Sequence, residues 1–217
     1  MNAHIIRFIM PPKHIAAAVA IAGGLLIGCS TTPAPRLYVF APRDGWQHVA
    51  VRDVESSDYT IRFAAIKLPA YLDRPQMVTR VSDNEIKIDQ FNRWGIPLHQ
   101  TILELLGGAL AKNLPNAYVD VMTATSRQPP GYLVQVEIVR LDGFLGGPVE
   151  LIAQWRVQRG GPSPATIVQK LGRYEQESAT RSYDAYVDAI RHALVAMGDD
   201  IASAIDRDRQ EPQHADR

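Results

Sequence analysis

Two stretches in the second half of the chain alternate apolar and polar residues with a period of two. In residues 132–138, Tyr132, Val134, Val136 and Ile138 alternate with Leu133, Gln135 and Glu137. In residues 149–158, Val149, Leu151, Ala153, Trp155 and Val157 alternate with Glu150, Ile152, Gln154, Arg156 and Gln158. Successive strand side chains point to opposite faces, so this pattern commits both stretches to a sheet with one dry and one wetter face, the habit of antiparallel sheets. The turn Arg159-Gly160-Gly161-Pro162 then leads into a third strand at about 165–175. Upstream, 36–40 and 59–67 are strand-like, 118–122 is a short strand, and 41–57 reads as irregular. Residues 77–81 and 85–89 flank Ser82-Asp83-Asn84, which is good hairpin-turn chemistry.

Two segments carry helical periodicity instead. In 97–113, Leu98, Ile102, Leu105, Leu106, Ala109 and Leu110 recur at spacings of three and four. Pro97 suits the first helical position, where a missing N–H costs nothing. Gly107-Gly108 weakens that helix by about 1 kcal/mol per glycine relative to Ala, which implies a close approach to the sheet. A long last helix opens at Ser182, a good N-cap, and carries Tyr183, Val187, Ile190, Leu194, Met197, Ile201, Ala204 and Ile205 on one stripe. The expected fold is α+β: an antiparallel sheet with two main helices packed on one face.

The N-terminus is of another kind. Arg7 and Lys13 are the only formal charges in residues 1–28, and 15–27 is a 13-residue apolar run. Such a run is too short to span a bilayer and has the length of a signal-peptide core. It ends in Leu26-Ile27-Gly28-Cys29, which resembles the lipobox of bacterial lipoproteins. Cys29 is the only cysteine, so it has no intrachain disulfide partner. Its expected role is lipid attachment, with cleavage just before it. Ser30 rather than Asp after the cysteine favours, by analogy with lipoprotein sorting, the outer membrane over the inner one. Each buried methylene contributes roughly 0.8 kcal/mol, so two or three acyl chains hold a protein far more firmly than one. The expected organisation is a lipoprotein signal peptide at 1–28, a lipidated linker at 29–35, a single α+β domain at 36–206 and a disordered charged tail at 207–217.

The whole chain has 23 basic and 23 acidic side chains; without residues 1–28, which hold two basic and no acidic ones, 21 and 23 remain, a net charge of −2. No basic excess or stripe suggests nucleic-acid binding. GxSxG, HExxH, GxxxxGK[ST] and GxGxxG are all missing from the sequence. His48, His99, His192 and His214 lack metal-ligand spacing, and no cofactor or metal is expected. Asp199 and Asp200 are adjacent helical positions about 100° apart, unsuited to sharing a proton. These observations point away from an enzyme.

Residues 68–98 concentrate Tyr71, Arg74, Arg80, Phe91, Arg93 and Trp94 in and around the hairpin. Two uses are open: scaffold contacts, or a docking surface, since Trp, Tyr and Arg dominate interface hot spots. The series Leu68-Pro69, Tyr71-Leu72, Asp73-Arg74-Pro75-Gln76, Val78, Arg80, Phe91, Arg93-Trp94 and Pro97-Leu98 resembles the signature of the ABC-transport auxiliary lipoprotein family. Asn113-Leu114, Leu141-Asp142-Gly143, Gly147, Leu151, Ala153 and Trp155 are similar to its later block. Ile96 departs from it, standing where the family's W-x-E-P-L carries Glu.

The resemblance implies a non-enzymatic outer-membrane lipoprotein, lipid-anchored on the periplasmic face. Its partners would be an MCE-domain periplasmic protein and an integral-membrane transport component of an intermembrane lipid-transport system, and it would dock the periplasmic conduit at the outer membrane. Tyr71, Asp73, Arg74, Gln76, Arg80, Arg93 and Trp94 are the expected partner or oligomer interface, and a closed homo-oligomeric ring is compatible with the role. The alternative is a periplasmic lipid-binding module carrying a phospholipid in a cleft between sheet and helices.

Overall fold

The computed structural model describes residues 33–40, 57–64, 66–121, 130–162 and 164–211. The elements run β1 (Arg36–Tyr38), β2 (Tyr59–Phe63), β3 (Gln76–Ser82), β4 (Glu85–Trp94), α1 (Leu98–Asn113), β5 (Ala117–Asp120), β6 (Tyr132–Gly143), β7 (Pro148–Arg159), β8 (Ala165–Glu177) and α2 (Tyr183–Gln210). All of them lie in the unit Pro35–Arg217. The fold is α+β.

β6, β7 and β8 form the antiparallel meander that the alternation demands. Tyr132, Val134, Val136 and Ile138 are buried on β6, and Val149, Leu151, Ala153, Trp155 and Val157 on β7. An irregularity in register between Ile138 and Arg140 leaves Val139 exposed and returns Leu141 to the core. The sheet as a whole is nevertheless mixed, which corrects the all-antiparallel expectation. Its order is β5-β2-β6-β7-β8, and β2 runs parallel to both β5 and β6. The chain leaves β2 through a hairpin and α1 before it returns as β5, and a crossover of that length makes parallel partners. A second sheet, also unanticipated, has the order β1-β4-β3: the β3–β4 hairpin is antiparallel, and β1 is added in parallel to β4.

Both helices join one apolar cluster with the inner faces of β6 and β7. α2 lies against β6, β7, β8 and α1, and α1 also reaches β5. Leu106 and Leu110 of α1, and Ile190, Leu194, Met197 and Ile201 of α2, are essentially inaccessible. Each such side chain contributes roughly 1.5–3 kcal/mol by burial. Close approach accounts for two glycines. A methyl on Gly107 would lie 2.4 Å from Val121 Cγ1, just past β5, and one on Gly198 would lie 2.7 Å from Ala109 Cβ at the helix crossing.

The helix ends differ slightly from expectation. Pro97 is the N-cap of α1 rather than its first residue. Its carbonyl accepts the Gln100 N–H at 3.0 Å and the Thr101 N–H at 3.1 Å. Ser182 caps α2 as expected, its hydroxyl accepting the Ala185 N–H at 3.1 Å. α2 continues beyond Asp206 to Gln210, so the start of the tail expected to be disordered from 207 is helical. Asp208 is the reason: its carboxylate accepts from Tyr132 Oη at 2.7 Å and pairs with Arg159. Arg209 stacks 3.7 Å from the Tyr59 ring centre. Residues 212–217, 41–56 of the stretch expected to be irregular, and the expected signal peptide with Cys29 lie outside the described residues.

Candidate functional site

The segment singled out in the sequence folds into the loop 68–75 and the β3–β4 hairpin. The loop is closed locally, with Leu72 N–H on Pro69 O at 2.9 Å and Arg74 N–H on Leu72 O at 2.8 Å. Pro75 O then accepts the Trp94 N–H at 2.8 Å, which ties the loop to the end of β4. Two of its polar side chains converge on Asp142 of β6, a residue with no exposed surface. Tyr71 Oη donates to Asp142 Oδ2 at 2.8 Å, and Arg80 donates through Nε to Oδ1 at 2.5 Å and through Nη2 to Oδ2 at 3.3 Å. Arg140 Nε adds a further bond to Oδ1 at 2.9 Å. Arg140 also reaches Glu150 at 2.6 Å, and Glu150 pairs with Arg173 of β8. Arg80 Nη1 binds the Asp83 carbonyl in the hairpin turn at 2.6 Å.

Electrostatics fixes this cluster in one protonation state. Burial acts to raise the Asp142 carboxyl, but bonds from Arg80, Arg140 and Tyr71 outweigh it and hold the group below the usual carboxylate range. Tyr71 moves the other way, pushed up by burial and by donation to the charged Asp142. A carboxylate so saturated with donors is a poor proton acceptor and no nucleophile. Its effect is positional: it fixes the loop and β3 against β6.

A second buried carboxylate fixes the other end of the small sheet. Asp89 Oδ1 accepts the backbone N–H groups of Phe91 at 2.9 Å and Asn92 at 2.8 Å, and the Asn92 side-chain amide at 2.9 Å. Its Oδ2 accepts from Tyr183 Oη at 3.0 Å, at the start of α2. Burial again acts upward, yet these bonds bring the Asp89 carboxyl down to about 2. One turn further along, Tyr186 donates to the Val78 carbonyl at 2.8 Å.

The seven expected interface residues divide by position. Tyr71 and Arg80 are directed onto Asp142. Trp94 is 7% exposed and packs on Phe40 with ring centres 5.4 Å apart, so it is a core residue. The other four lie at or near the surface around the loop and the β4 end. Asp73 is exposed, and Arg74, Gln76 and Arg93 are half-buried. Gln76 and Arg93 are cross-strand partners, and Arg93 Nε binds the Gln90 carbonyl at 3.0 Å. Arg74 Nε is enclosed without a hydrogen-bond acceptor. Ile96, the departure from the family signature, is 36% exposed.

Other chemical candidates are spent separately. Asp199 accepts from Asn113 at 2.7 Å, and Asp200 from Lys170 at 2.6 Å and Tyr174 at 3.0 Å. His99 and His192 are exposed helical residues. No group of three or more metal-ligating side chains exists among the described residues. An open depression of about 380 Å³ includes Lys67, Gln135, Glu137, Gln154 and Arg156 in its lining. The β6 and β7 side chains among these alternate with the core residues of the same strands, so they occupy the sheet's wetter face, and Lys67 forms a β-bridge to Glu137 beside them. Asp142 and Asp89 were not among the sequence candidates. For Asp142 the available signal was an aspartate in phase with the apolar positions of β6, a place a carboxylate occupies only when paired; Asp89, in the polar phase of its strand, gave none.

A family model described as the ABC-type transport auxiliary lipoprotein component matches residues 47–202. No curated protein matches the chain. A crystal structure of an uncharacterized protein superposes with a TM-score of 0.64 at 18% identity, covering 80% of this chain and 99% of that one. Protein XCC0632 from Xanthomonas campestris, of the DUF330 family, superposes with a TM-score of 0.58 at 13% identity, covering 82% and 97%. At these identities the two structures speak to the fold alone.

Proposed function

The chain belongs to the family of ABC-type transport auxiliary lipoprotein components, and from that premise we propose that it docks the periplasmic conduit of an intermembrane lipid-transport system at the outer membrane. Membrane-associated partners follow from the family. In our proposal these are an MCE-domain periplasmic protein and an integral-membrane component. Acyl chains on Cys29 anchor the chain to the periplasmic face of the outer membrane, and the domain acts by binding, without catalysis.

The family match over 47–202 carries this proposal. Supporting it, the buried carboxylates Asp142 and Asp89 are committed to holding the small sheet, an economy suited to a docking part. Asp73, Arg74, Gln76 and Arg93 are the side chains of the signature segment left to meet a partner. The helix stripes are spent on the shared core, and the depression on the wetter face is polar, so neither favours the phospholipid-carrier alternative.

The test is capture of an MCE-domain protein from detergent-solubilised envelopes by the full chain. An Arg74→Ala, Arg93→Ala double variant that melts like the parent is expected to lose most of that capture. Undiminished capture removes these residues from the interface. No capture by the parent chain removes the MCE partner. Cys29→Ser is expected to abolish palmitate labelling and release the protein from the membrane fraction.

A further inference from the structure

Exposed large apolar residues are unevenly placed. Among the described residues seven stand out, and four of them, Leu37 at 65%, Val39 at 55%, Phe91 at 44% and Ile96 at 36%, belong to β1, β4 and the residues just beyond their ends. β1 is an edge strand of the three-stranded sheet. A methyl placed on Gly95 would lie 2.9 Å from Val39 Cγ1 and 3.8 Å from Leu37 Cβ, so Gly95, Val39 and Leu37 adjoin, with Ile96 next in the chain. Phe91 stands one register position before the Arg36–Asn92 pair. β1 pairs Leu37 with Arg93, which puts both on one face together with Phe91, while Arg36 starts on the opposite face with Asn92; the paired stretch holds no carboxylate. Arg93 makes no salt bridge among the described residues. An apolar patch bordered by a guanidinium group matches the headgroup region of an anionic bilayer, where apolar side chains insert and cations meet phosphates.

Chain connectivity says which surface this patch meets. Only residues 30–35 separate Cys29 from β1. Six residues reach at most about 20 Å when extended. An acylated Cys29 therefore keeps β1 close to the lipid, and a tether that short gives even a weakly lipophilic patch a high effective concentration of bilayer.

We infer that Leu37, Val39, Phe91 and Ile96, with Arg93 at the border toward the partner-facing loop, form a bilayer-contacting patch that orients the domain on the membrane. The inference rests on lipid attachment at Cys29. The anchor sets distance; the patch sets orientation.

Because Cys29 is the only cysteine, Val39→Cys or Leu171→Cys in the full acylated chain introduces one free thiol. Leu171, on β8 of the other sheet, is 67% exposed and serves as the reference. Each thiol is labelled with an environment-sensitive nitrobenzoxadiazole fluorophore. The probe membranes are phosphatidylethanolamine–phosphatidylglycerol vesicles containing a headgroup spin-labelled lipid. The label at position 39 is expected to shift to the blue and be quenched several-fold more than that at 171. A Leu37→Glu, Phe91→Glu background is expected to erase that difference while the protein still floats with vesicles. Equal quenching at 39 and 171 overturns the inference. So does a blue-shifted label at 39 without vesicles, which assigns the patch to a second copy if it grows with protein concentration and to the chain itself if it does not. Flotation of the unlabelled protein reads the anchor separately: a parent chain that fails to float, or a Cys29→Ser variant that floats equally, refutes acylation and the inference with it.

Discussion

The two sheets are held by different physics. In the five-stranded sheet, β7 alone buries Val149, Leu151, Ala153, Trp155 and Val157, each no more than 2% exposed, under α2. In the three-stranded sheet, Met77 and Val78 are buried, but its orientation is fixed by a few directed bonds: Tyr71 and Arg80 on Asp142, Tyr183 on Asp89, and Tyr186 on the Val78 carbonyl. Apolar burial is non-directional and shared among many residues, so it sets how stable a domain is. Hydrogen bonds to charged groups are few and angular, so they set where one part sits on another. The signature residues Tyr71, Arg80 and Trp94 belong to the small sheet's attachment, and the surface that surrounds them is only as well placed as that attachment.

The contrast breaks most visibly at its extremes. Trp155→Ala is expected to cost about 3–5 kcal/mol and to lower the whole-domain urea midpoint, since it opens the main core and removes the 3.2 Å bond from its indole to Tyr174. Asp142→Ala is expected to cost about 3 kcal/mol, because three donors lose their shared acceptor and the Arg80 guanidinium loses its counter-charge. Its signature in hydrogen exchange is local: β3 amides lose protection before β7 amides. Simultaneous loss in both sheets would mean that the small sheet has no separate attachment.

Acid sharpens the comparison with a smaller effect. The Asp89 carboxyl at about 2 lies below its unfolded value near 4, so its contribution is complete above about pH 4 and is lost as pH falls toward 2. The loss across that window is about 2 kcal/mol. Urea midpoints measured between pH 5 and 2 are expected to fall more steeply for the parent than for Asp89→Asn. Parallel slopes would assign the acid sensitivity elsewhere.

The same division explains what could be read from the amino acids. β6, β7, the hairpin, both helices and the Ser182 cap are written in local periodicity and turn chemistry. The parallel course of β2 is not, because strand direction is set by the connection through the hairpin and α1, and YTIRF looks the same beside either kind of neighbour. The residue types at the candidate site stood out at once, but their use did not. Tyr71 and Arg80 find their acceptor 71 and 62 positions downstream, and no local pattern joins them to Asp142. Asp208 was hidden likewise, since a charged stretch takes its helical form here from Tyr132 and Arg159.

A pull on the N-terminal end of this chain enters the described domain through β1. That strand is joined to β4 at only three register positions, and the Gly95 N–H on the Tyr38 carbonyl at 2.7 Å closes its end. Under tension those few contacts yield before the long β6–β7–β8 ladder or the Asp142 junction. A weak mechanical joint thus lies next to the tether, and strain is relieved at the rim while the body of the domain keeps its shape.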